Sequence, residues 1–151
     1  MQKTDQSAGA LLYTDKIVIE TVNKEGNGSY YITDNVTILT LDCSDKEIGM
    51  IIKKHLQESI ECRIKPEERK KIRINYRKIL KAKTEKSLYE NVKCVRIKFD
   101  GNEISLNSYK TKSQEKVFLG NPPSITVFSA AIEDDELGKK IRLAWEKCES
   151  I

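Results

Sequence analysis

The chain has little histidine, little proline and no long apolar run. Its 151 residues include one histidine and three prolines. No stretch of roughly 18 apolar residues is present, so the sequence predicts no membrane-spanning helix and no membrane contact. The first ten residues are mainly polar and lack the apolar segment of a secretory signal. We therefore expect a soluble protein that stays in the cytoplasm where it is made.

Signatures of catalysis are also missing. Acid–base and nucleophilic catalysis need groups within hydrogen-bond reach of one another, and the single His55 allows neither a histidine cluster nor an HExxH motif. The glycine-dense stretch Gly26-Asn27-Gly28 lies between predicted strands, so it indicates a turn rather than a phosphate-binding loop. His55 falls beside an apolar helical stripe, which favours a structural histidine. We predict no catalytic residue and no enzyme.

The cysteines do not form a metal-binding pattern. They stand at positions 43, 62, 94 and 148, and no two are closer than 19 residues (62 − 43). The CxxC spacing of a zinc knuckle is therefore absent. Cys94 adjoins Val95, and we expect the cysteines to be buried thiols in a reducing compartment rather than disulfides. We predict no metal site and no cofactor.

Positive charge is concentrated in one segment. Residues 61–86 hold eleven Lys or Arg and four Glu, a net charge of +7. Because the whole chain carries +4, the remainder carries −3 (4 − 7). A basic helix can follow nucleic-acid phosphates, but such a run more often forms the solvated face of a helix.

A repeat with an offset of 89 residues (136 − 47) relates two segments. Asp45-Lys46-Glu47-Ile48-Gly49 matches Asp134-Asp135-Glu136-Leu137-Gly138. Both copies continue as amphipathic helices, with Ser44 and Asp134 as predicted N-caps. Helical spacing predicts a buried stripe in each: Ile48, Ile52, Leu56, Leu137, Ile141 and Trp145. Because glycine disfavours a helix, its presence at the same register in both copies predicts that a strand packs closely there.

Strand-like runs precede both helices. Lys16 to Val22 and Tyr30 to Thr33 flank a turn, and Val92 to Phe99 meets Glu103 to Leu106 through a second turn. Pro122-Pro123 is predicted to break the chain before the next strand. The alternating side chains of Val95, Ile97 and Phe99 are predicted to join the core, and Tyr30 and Tyr31 to face opposite sides, so that one of them leaves it.

These elements predict an α+β fold. It consists of a mainly antiparallel sheet with helices, in two similar hairpin–strand–helix halves of about 11–62 and 90–151. Pro66, followed by two glutamates, indicates the start of a basic helix from about 66 to 82 that joins the halves. Residues 1–10 are predicted to be a flexible N-terminus and residues 11–151 to be a single domain.

Four segments carry a family resemblance. They are Asp45–Gly49 with its helix, the Glu67–Leu80 helix leading into Lys86–Val92, the hairpin from Val95 to Ser105, and Asp135–Gly138 near the C-terminus. In this order they resemble the immunity proteins of bacterial contact-dependent growth inhibition (CDI) systems, the CdiI family. The resemblance covers roughly residues 12–150.

The resemblance implies an inhibitor. Such proteins bind and neutralise the toxic C-terminal domain, often a nuclease, of a cell-surface effector. It also implies a Whirly-like fold. From the size of typical interfaces we expect a tight 1:1 complex with the cognate toxin domain, and we expect the chain to be a monomer when free. Some relatives accept a toxin hairpin beside their own strands, which suits an edge strand with unpaired backbone groups. Immunity proteins against nucleases are commonly acidic because they meet basic surfaces, whereas this chain is net positive.

Aromatic and charged residues near Tyr109 suggest a contact surface. Tyrosine among lysines suits contact with a protein or with single-stranded nucleic acid. From exposure and composition we predict seven toxin-binding residues: Asn107, Tyr109, Lys110, Lys112, Glu115, Lys116 and Phe118. The alternative function is a single-stranded nucleic-acid-binding protein that uses the sheet and the basic helix.

Overall fold

The computed structural model describes residues 5–150, which form seven strands and three α-helices. The strands are β1 (Gln6–Leu12), β2 (Ile17–Lys24), β3 (Tyr30–Leu39), β4 (Lys93–Phe99), β5 (Glu103–Lys112), β6 (Val117–Ser129) and β7 (Glu149–Ser150). The helices are α1 (Asp45–Glu58), α2 (Pro66–Leu80) and α3 (Asp134–Glu146), and a 3₁₀ turn covers Lys86–Tyr89. No helix within this range is long and apolar enough to cross a membrane.

The strands form one sheet in the order β3-β2-β1-β4-β5-β6. All neighbours in this order are antiparallel, and β7 adds a short parallel pairing to β5. The centre of the sheet is the pairing of β1 with β4, in which Ser7 lies opposite Lys98. On either side the chain runs through two further strands and then into α1 or α3. The predicted α+β class with a mainly antiparallel sheet is therefore confirmed.

The main core lies between the sheet and the α1–α3 pair. All six residues of the predicted helical stripes are buried there, together with Val95 and Ile97 of β4, and Phe99 is partly buried against them. The indole N–H of Trp145 donates to the carbonyl of Ala10 at 3.0 Å, so α3 is fixed directly to the central strand.

The two helices cross at their repeated glycines. A Cβ atom on Gly49 would lie 1.9 Å from the carbonyl oxygen of Asp134, and one on Gly138 would lie 1.9 Å from that of Asp45. The prediction that a strand packs against these glycines is therefore wrong. Each glycine meets the first turn of the other helix, because only a residue without a side chain allows two helix backbones to approach so closely.

Ion pairs follow the same reciprocal pattern. Lys53 of α1 lies 2.8 Å from a carboxylate oxygen of Asp134, and Arg142 of α3 donates to a carboxylate oxygen of Asp45 at 2.6 Å. Lys53 and Arg142 are also related by the offset of 89 (142 − 53), so an approximate two-fold relates the helices. The Ser44 hydroxyl caps α1 as predicted, accepting from the Glu47 N–H at 3.1 Å. For α3 the prediction is wrong, because the N-cap is Glu133 and Asp134 pairs with Lys53.

The prediction of a flexible N-terminus is wrong for residues 6–10, and the predicted break at Pro122-Pro123 is also wrong. Residues 6–10 belong to β1, which is buried between β2 and β4, whereas residues 1–4 lie outside the described range. The composition of the first ten residues is mainly polar, but the side chains of Ser7 to Ala10 are small and therefore fit a crowded central strand. The chain also does not break at Pro122-Pro123, because β6 runs through both. β6 is an edge strand whose register on β5 shifts between Ser108 and Lys110, and such positions tolerate the missing proline N–H.

Candidate functional site

The face of the sheet opposite α1 and α3 is only partly covered. There α2 packs through Tyr76 and Leu80 onto a cluster that includes Leu11 and Val18. Alternate residues of β4 and β5 point to the same side of the sheet; Cys94, Asn107 and Thr111 are buried, and the others remain at least partly accessible. We call this surface the open face, and its residues are Arg96, Lys98, Ser105, Asn107 and Tyr109.

The sheet curls, so that β3 contributes to the open face. Tyr30, at the start of β3, lies three strands away from β4 in the sheet order. Its ring centre is nevertheless only 5.3 Å from the Nζ atom of Lys98, and the Arg96 guanidinium carbon is 5.9 Å from the ring centre of Tyr109. The surface is therefore concave, with two cations placed beside two tyrosine rings.

Neither cation of the open face has an ion pair with a carboxylate in the described range. Burial lowers the pKa of the Lys98 ammonium, and the Arg96 guanidinium lowers it further. The Nε atom of Arg96 is buried and has no hydrogen-bond partner among residues 5–150. This part of the surface therefore holds two neighbouring cations, neither of which forms an ion pair among residues 5–150.

A buried carboxyl group lies beneath the open face. Glu20 of β2 accepts a hydrogen bond from the hydroxyl of Tyr76, which joins the sheet to α2. Burial raises the pKa of Glu20, while the Tyr76 hydrogen bond, Arg96 and Arg73 oppose that rise. A Cβ atom on Gly9 would lie 2.9 Å from Cγ of Glu20, so the glycine provides the space for this side chain. Glu20 thus holds α2 in place.

A pocket of about 370 Å³ opens at one end of the open face. Its lining includes Tyr30, Lys98, Ser105 and Val127, together with the acidic residues Asp5, Asp100 and Glu103. Asp5 pairs with Lys24 at 3.2 Å. Asp100 accepts backbone hydrogen bonds from Glu103 and Asn102, which lower its pKa. The site therefore has two cations on the open face, Arg96 and Lys98, and three acidic residues around the adjoining pocket, which we call the rim.

Two of the seven predicted toxin-binding residues lie on the open face. Tyr109 is partly buried beneath Arg96, as described above. Asn107 is only 8% exposed, and its amide donates to the Arg96 carbonyl at 3.1 Å and to the Ser105 hydroxyl at 3.3 Å. Asn107 therefore orders the surface from below rather than presenting a side chain to a partner.

The other five predicted residues surround the β5–β6 turn. Lys110 pairs with Glu149 at 3.7 Å, and Lys112 pairs with Glu115 at 3.6 Å. Phe118 packs on Tyr89 with ring centres 4.9 Å apart, and Lys116 is exposed in the turn. This group lies beyond Tyr109 along β5.

The seven predicted toxin-binding residues do not include Arg96 and Lys98. A usable signal existed, because Val95, Ile97 and Phe99 were assigned to the core, and alternation then places Arg96 and Lys98 on the opposite face. Of the two adjacent tyrosines, Tyr31 is buried and Tyr30 lines the pocket. The prediction that one of them leaves the core is therefore confirmed.

Groups that could support chemistry are scarce in the described range. No cluster of three or more His, Cys, Asp or Glu side chains there could hold a metal ion. The four cysteines are free thiols: Cys43 and Cys94 are buried, Cys148 is partly buried and Cys62 is exposed. The prediction of a buried thiol is wrong for Cys62, because it lies on the connection between α1 and α2, where its N–H donates to the Lys24 carbonyl at 2.8 Å.

His55 is a structural residue, as predicted. It is 1% exposed, and its two ring nitrogens lie 2.7 Å from the Thr21 hydroxyl and 2.8 Å from the Thr37 hydroxyl. Burial lowers the pKa of the imidazole, with Glu58 opposing and Lys54 adding to the shift. The ring joins α1 to two strands.

Stability should therefore fall in mild acid. The unfolded state, in which histidine titrates near pH 6.5, binds a proton more readily than the folded state, so the free energy of unfolding should decrease as the pH drops below about 6.5. Urea unfolding at about pH 7.5 and about pH 5.5 measures this loss. In His55→Gln the difference between the two pH values should be smaller. An unchanged difference would show that His55 does not cause the acid sensitivity.

Comparison with known proteins gives a consistent result. The family model described as CdiI, CDI immunity protein, matches residues 6–148. The protein of unknown function NMB0488 from Neisseria meningitidis has a TM-score of 0.80 at 21% identity, over 99% of this chain and 98% of that chain. A chain of the CdiA-CT/CdiI toxin and immunity complex from Yersinia pseudotuberculosis has a TM-score of 0.81 at 17% identity, over 97% and 99%. No curated protein matches. The two structures show a shared fold.

Proposed function

The chain belongs to the CDI immunity protein family, and on that premise we propose that it binds and neutralises the C-terminal toxin domain of a cognate CDI effector. The observation that carries this proposal is the family match over residues 6–148. The likeness to a toxin and immunity complex supports it. The chain acts as an inhibitor by occupying the toxin surface, without any catalytic step of its own.

The proposed architecture is a single domain of two Whirly-like halves. One half is β1-β2-β3-α1, the other is β4-β5-β6-α3, and the basic helix α2 joins them. The reciprocal glycine contacts and the ion pairs between α1 and α3 support this description. In this arrangement α2 braces the sheet from the side opposite to α1 and α3, and the open face beside it stays available to a partner.

The proposed contact surface combines the open face with the predicted residues around the β5–β6 turn. Tyr109 belongs to both groups, so the two form one continuous region along β5. A single contact region favours a 1:1 complex with the toxin and a chain that is monomeric when free. The toxin in this proposal is a nuclease, and the complex forms in the cytoplasm, where the exposed thiol of Cys62 stays reduced.

Single-stranded nucleic-acid binding is the second candidate. The observation that favours it is the placement of Tyr30 and Tyr109 beside Lys98 and Arg96 on a sheet surface, because stacking rings and cations suit single strands. The basic side chains of α2 offer less free positive charge to a nucleic acid than their number suggests, because Arg69 pairs with Glu25 and Arg73 pairs with Glu85.

Growth rescue tests the proposed function. The C-terminal domain of the CDI surface protein encoded beside this chain is expressed in bacteria with and without the chain. We expect growth to be restored and the two proteins to co-purify with a dissociation constant on the order of nanomolar or tighter. An unrelated CDI toxin domain serves as the control and should remain toxic. Toxicity without rescue, or no binding at micromolar concentration, would contradict the immunity function.

A further inference from the structure

Arg96 and Lys98 differ from the cations that surround them. At the edges of the concave surface, Lys24 pairs with Asp5 and Arg73 pairs with Glu85. Arg96 and Lys98 have no such partner within residues 5–150. Glu20 lies within the electrostatic field of Arg96, but its hydrogen bond goes to Tyr76. The centre of the surface therefore lacks the anion that its cations could bind.

This placement is unfavourable for the free protein. Arg96 and Lys98 occupy alternate positions on one strand, so their backbones are about 7 Å apart and their side chains leave the same face. The charge of Arg96 lowers the pKa of Lys98, which shows that the two cations repel each other, and neither has an ion pair within residues 5–150. A bound carboxylate between them would relieve the repulsion and would accept hydrogen bonds from both.

We infer that the open face binds a toxin segment that presents an acidic side chain, with its carboxylate between Arg96 and Lys98. The apolar part of this segment packs in the adjoining pocket between Tyr30 and Val127, a valine that is 54% exposed. This inference rests on the proposed function and adds the chemistry of the contact.

The rim distinguishes a protein partner from a nucleic acid. A phosphate chain along the pocket would approach the acidic residues Asp5, Asp100 and Glu103, and each phosphate carries a negative charge. A folded protein can place one acid at the centre and basic residues opposite the rim. Such an arrangement of one acidic and several basic residues on the toxin would also allow a net-positive immunity protein to bind a basic toxin surface.

A matched pair of charge reversals tests the inference. Lys98 and Lys93 are both exposed residues of β4, but they point to opposite faces of the sheet. Lys98→Glu and Lys93→Glu change the net charge equally, so any difference between them reports local contact. We expect Lys98→Glu to weaken binding to a catalytically inactive toxin domain by about 30-fold or more. Lys93→Glu should change it by less than about 5-fold. Calorimetric titration at physiological salt measures both.

Two further measurements separate contact from folding. The thermal midpoint of Lys98→Glu should stay close to that of the unmodified chain, because Lys98 is exposed and has no ion pair within residues 5–150 that the change would break. A lowered midpoint would assign Lys98 a structural role and overturn the inference. In the toxin, replacing the matching acidic residue with lysine should restore binding to Lys98→Glu, and a failure of all such exchanges would overturn it as well.

The remaining outcomes are equally decisive. Equal weakening by Lys98→Glu and Lys93→Glu would overturn the inference in favour of long-range attraction alone. Binding of a fluorescent single-stranded oligonucleotide that Lys98→Glu abolishes would overturn it in favour of a nucleic-acid site. If the unmodified chain neither rescues growth nor binds the toxin domain, the immunity function itself fails, and that result is obtained before any variant is made.

Discussion

Replacing Gly49 with alanine should lower the free energy of unfolding by about 3 kcal/mol or more. In an isolated helix the same change would be favourable, by about 1 kcal/mol. Here the new methyl group would lie 1.9 Å from the carbonyl oxygen of Asp134, a backbone atom that cannot rotate away. α1 and α3 would therefore have to move apart, which would also disturb the ion pair of Lys53 with Asp134. Because of this contact, Gly49→Ala should be destabilising, whereas helix propensity alone would make it stabilising.

Urea unfolding followed by circular dichroism measures this effect, and the chain provides a matched control. Gly26 lies in the β2–β3 turn, where the nearest atom to an added Cβ, a carboxylate oxygen of Glu61, is 3.9 Å away. Gly26→Ala should change the stability by less than about 0.5 kcal/mol. Gly138→Ala should behave like Gly49→Ala, since its contact with Asp45 is equivalent. Normal stability of both helix variants would disprove the close crossing.

Replacing Trp145 with alanine should cost about 3–5 kcal/mol of stability. The side chain is 2% exposed within the main core, so its removal leaves a large cavity. The carbonyl of Ala10 also loses its indole donor at the centre of the sheet. Both effects act on the contact between α3 and β1, the strand that joins the two sides of the molecule.

Two other substitutions divide this loss into its parts. Trp145→Phe keeps most of the packing but removes the N–H donor, and should cost about 1–3 kcal/mol. Leu143→Ala on the same helix removes a side chain that is 56% exposed, and should have an effect of less than about 1 kcal/mol. The thermal midpoints of the three variants test this order. A midpoint for Trp145→Ala as high as that for Leu143→Ala would show that the indole is not part of the core.

Elements with a local signal could be predicted from the sequence. The stripes of α1 and α3 were predicted correctly because the spacing of Ile48, Ile52 and Leu56, and its repeat 89 residues later (137 − 48), is contained in each helix. The partner of Gly49 could not be predicted, because contact with a backbone carbonyl requires no particular residue type in the other helix. β1 was missed for a related reason: its small side chains are buried by surrounding strands rather than by their own hydrophobicity.

The sequence indicates only part of the open face. Tyr109 stood out because it is an aromatic residue in a polar stretch, and this is visible in the sequence. Arg96 and Lys98 did not stand out, since charged residues that alternate with apolar ones are typical of any strand with a solvated face. Their significance depends on the curl that brings Tyr30 over Lys98. That curvature depends on all the strands of the sheet together, so no single segment of the sequence indicates it.

The pairing of β1 with β4 also has a consequence during synthesis. Ser7 meets Lys98 only after another 91 residues (98 − 7) have been added, and Ala10 receives its hydrogen bond from Trp145 later still. Contacts between distant residues slow folding, because a long loop must close before they form. The N-terminal strands and α1 thus leave the ribosome with their apolar faces uncovered. The chain has to avoid aggregation until its last helix emerges.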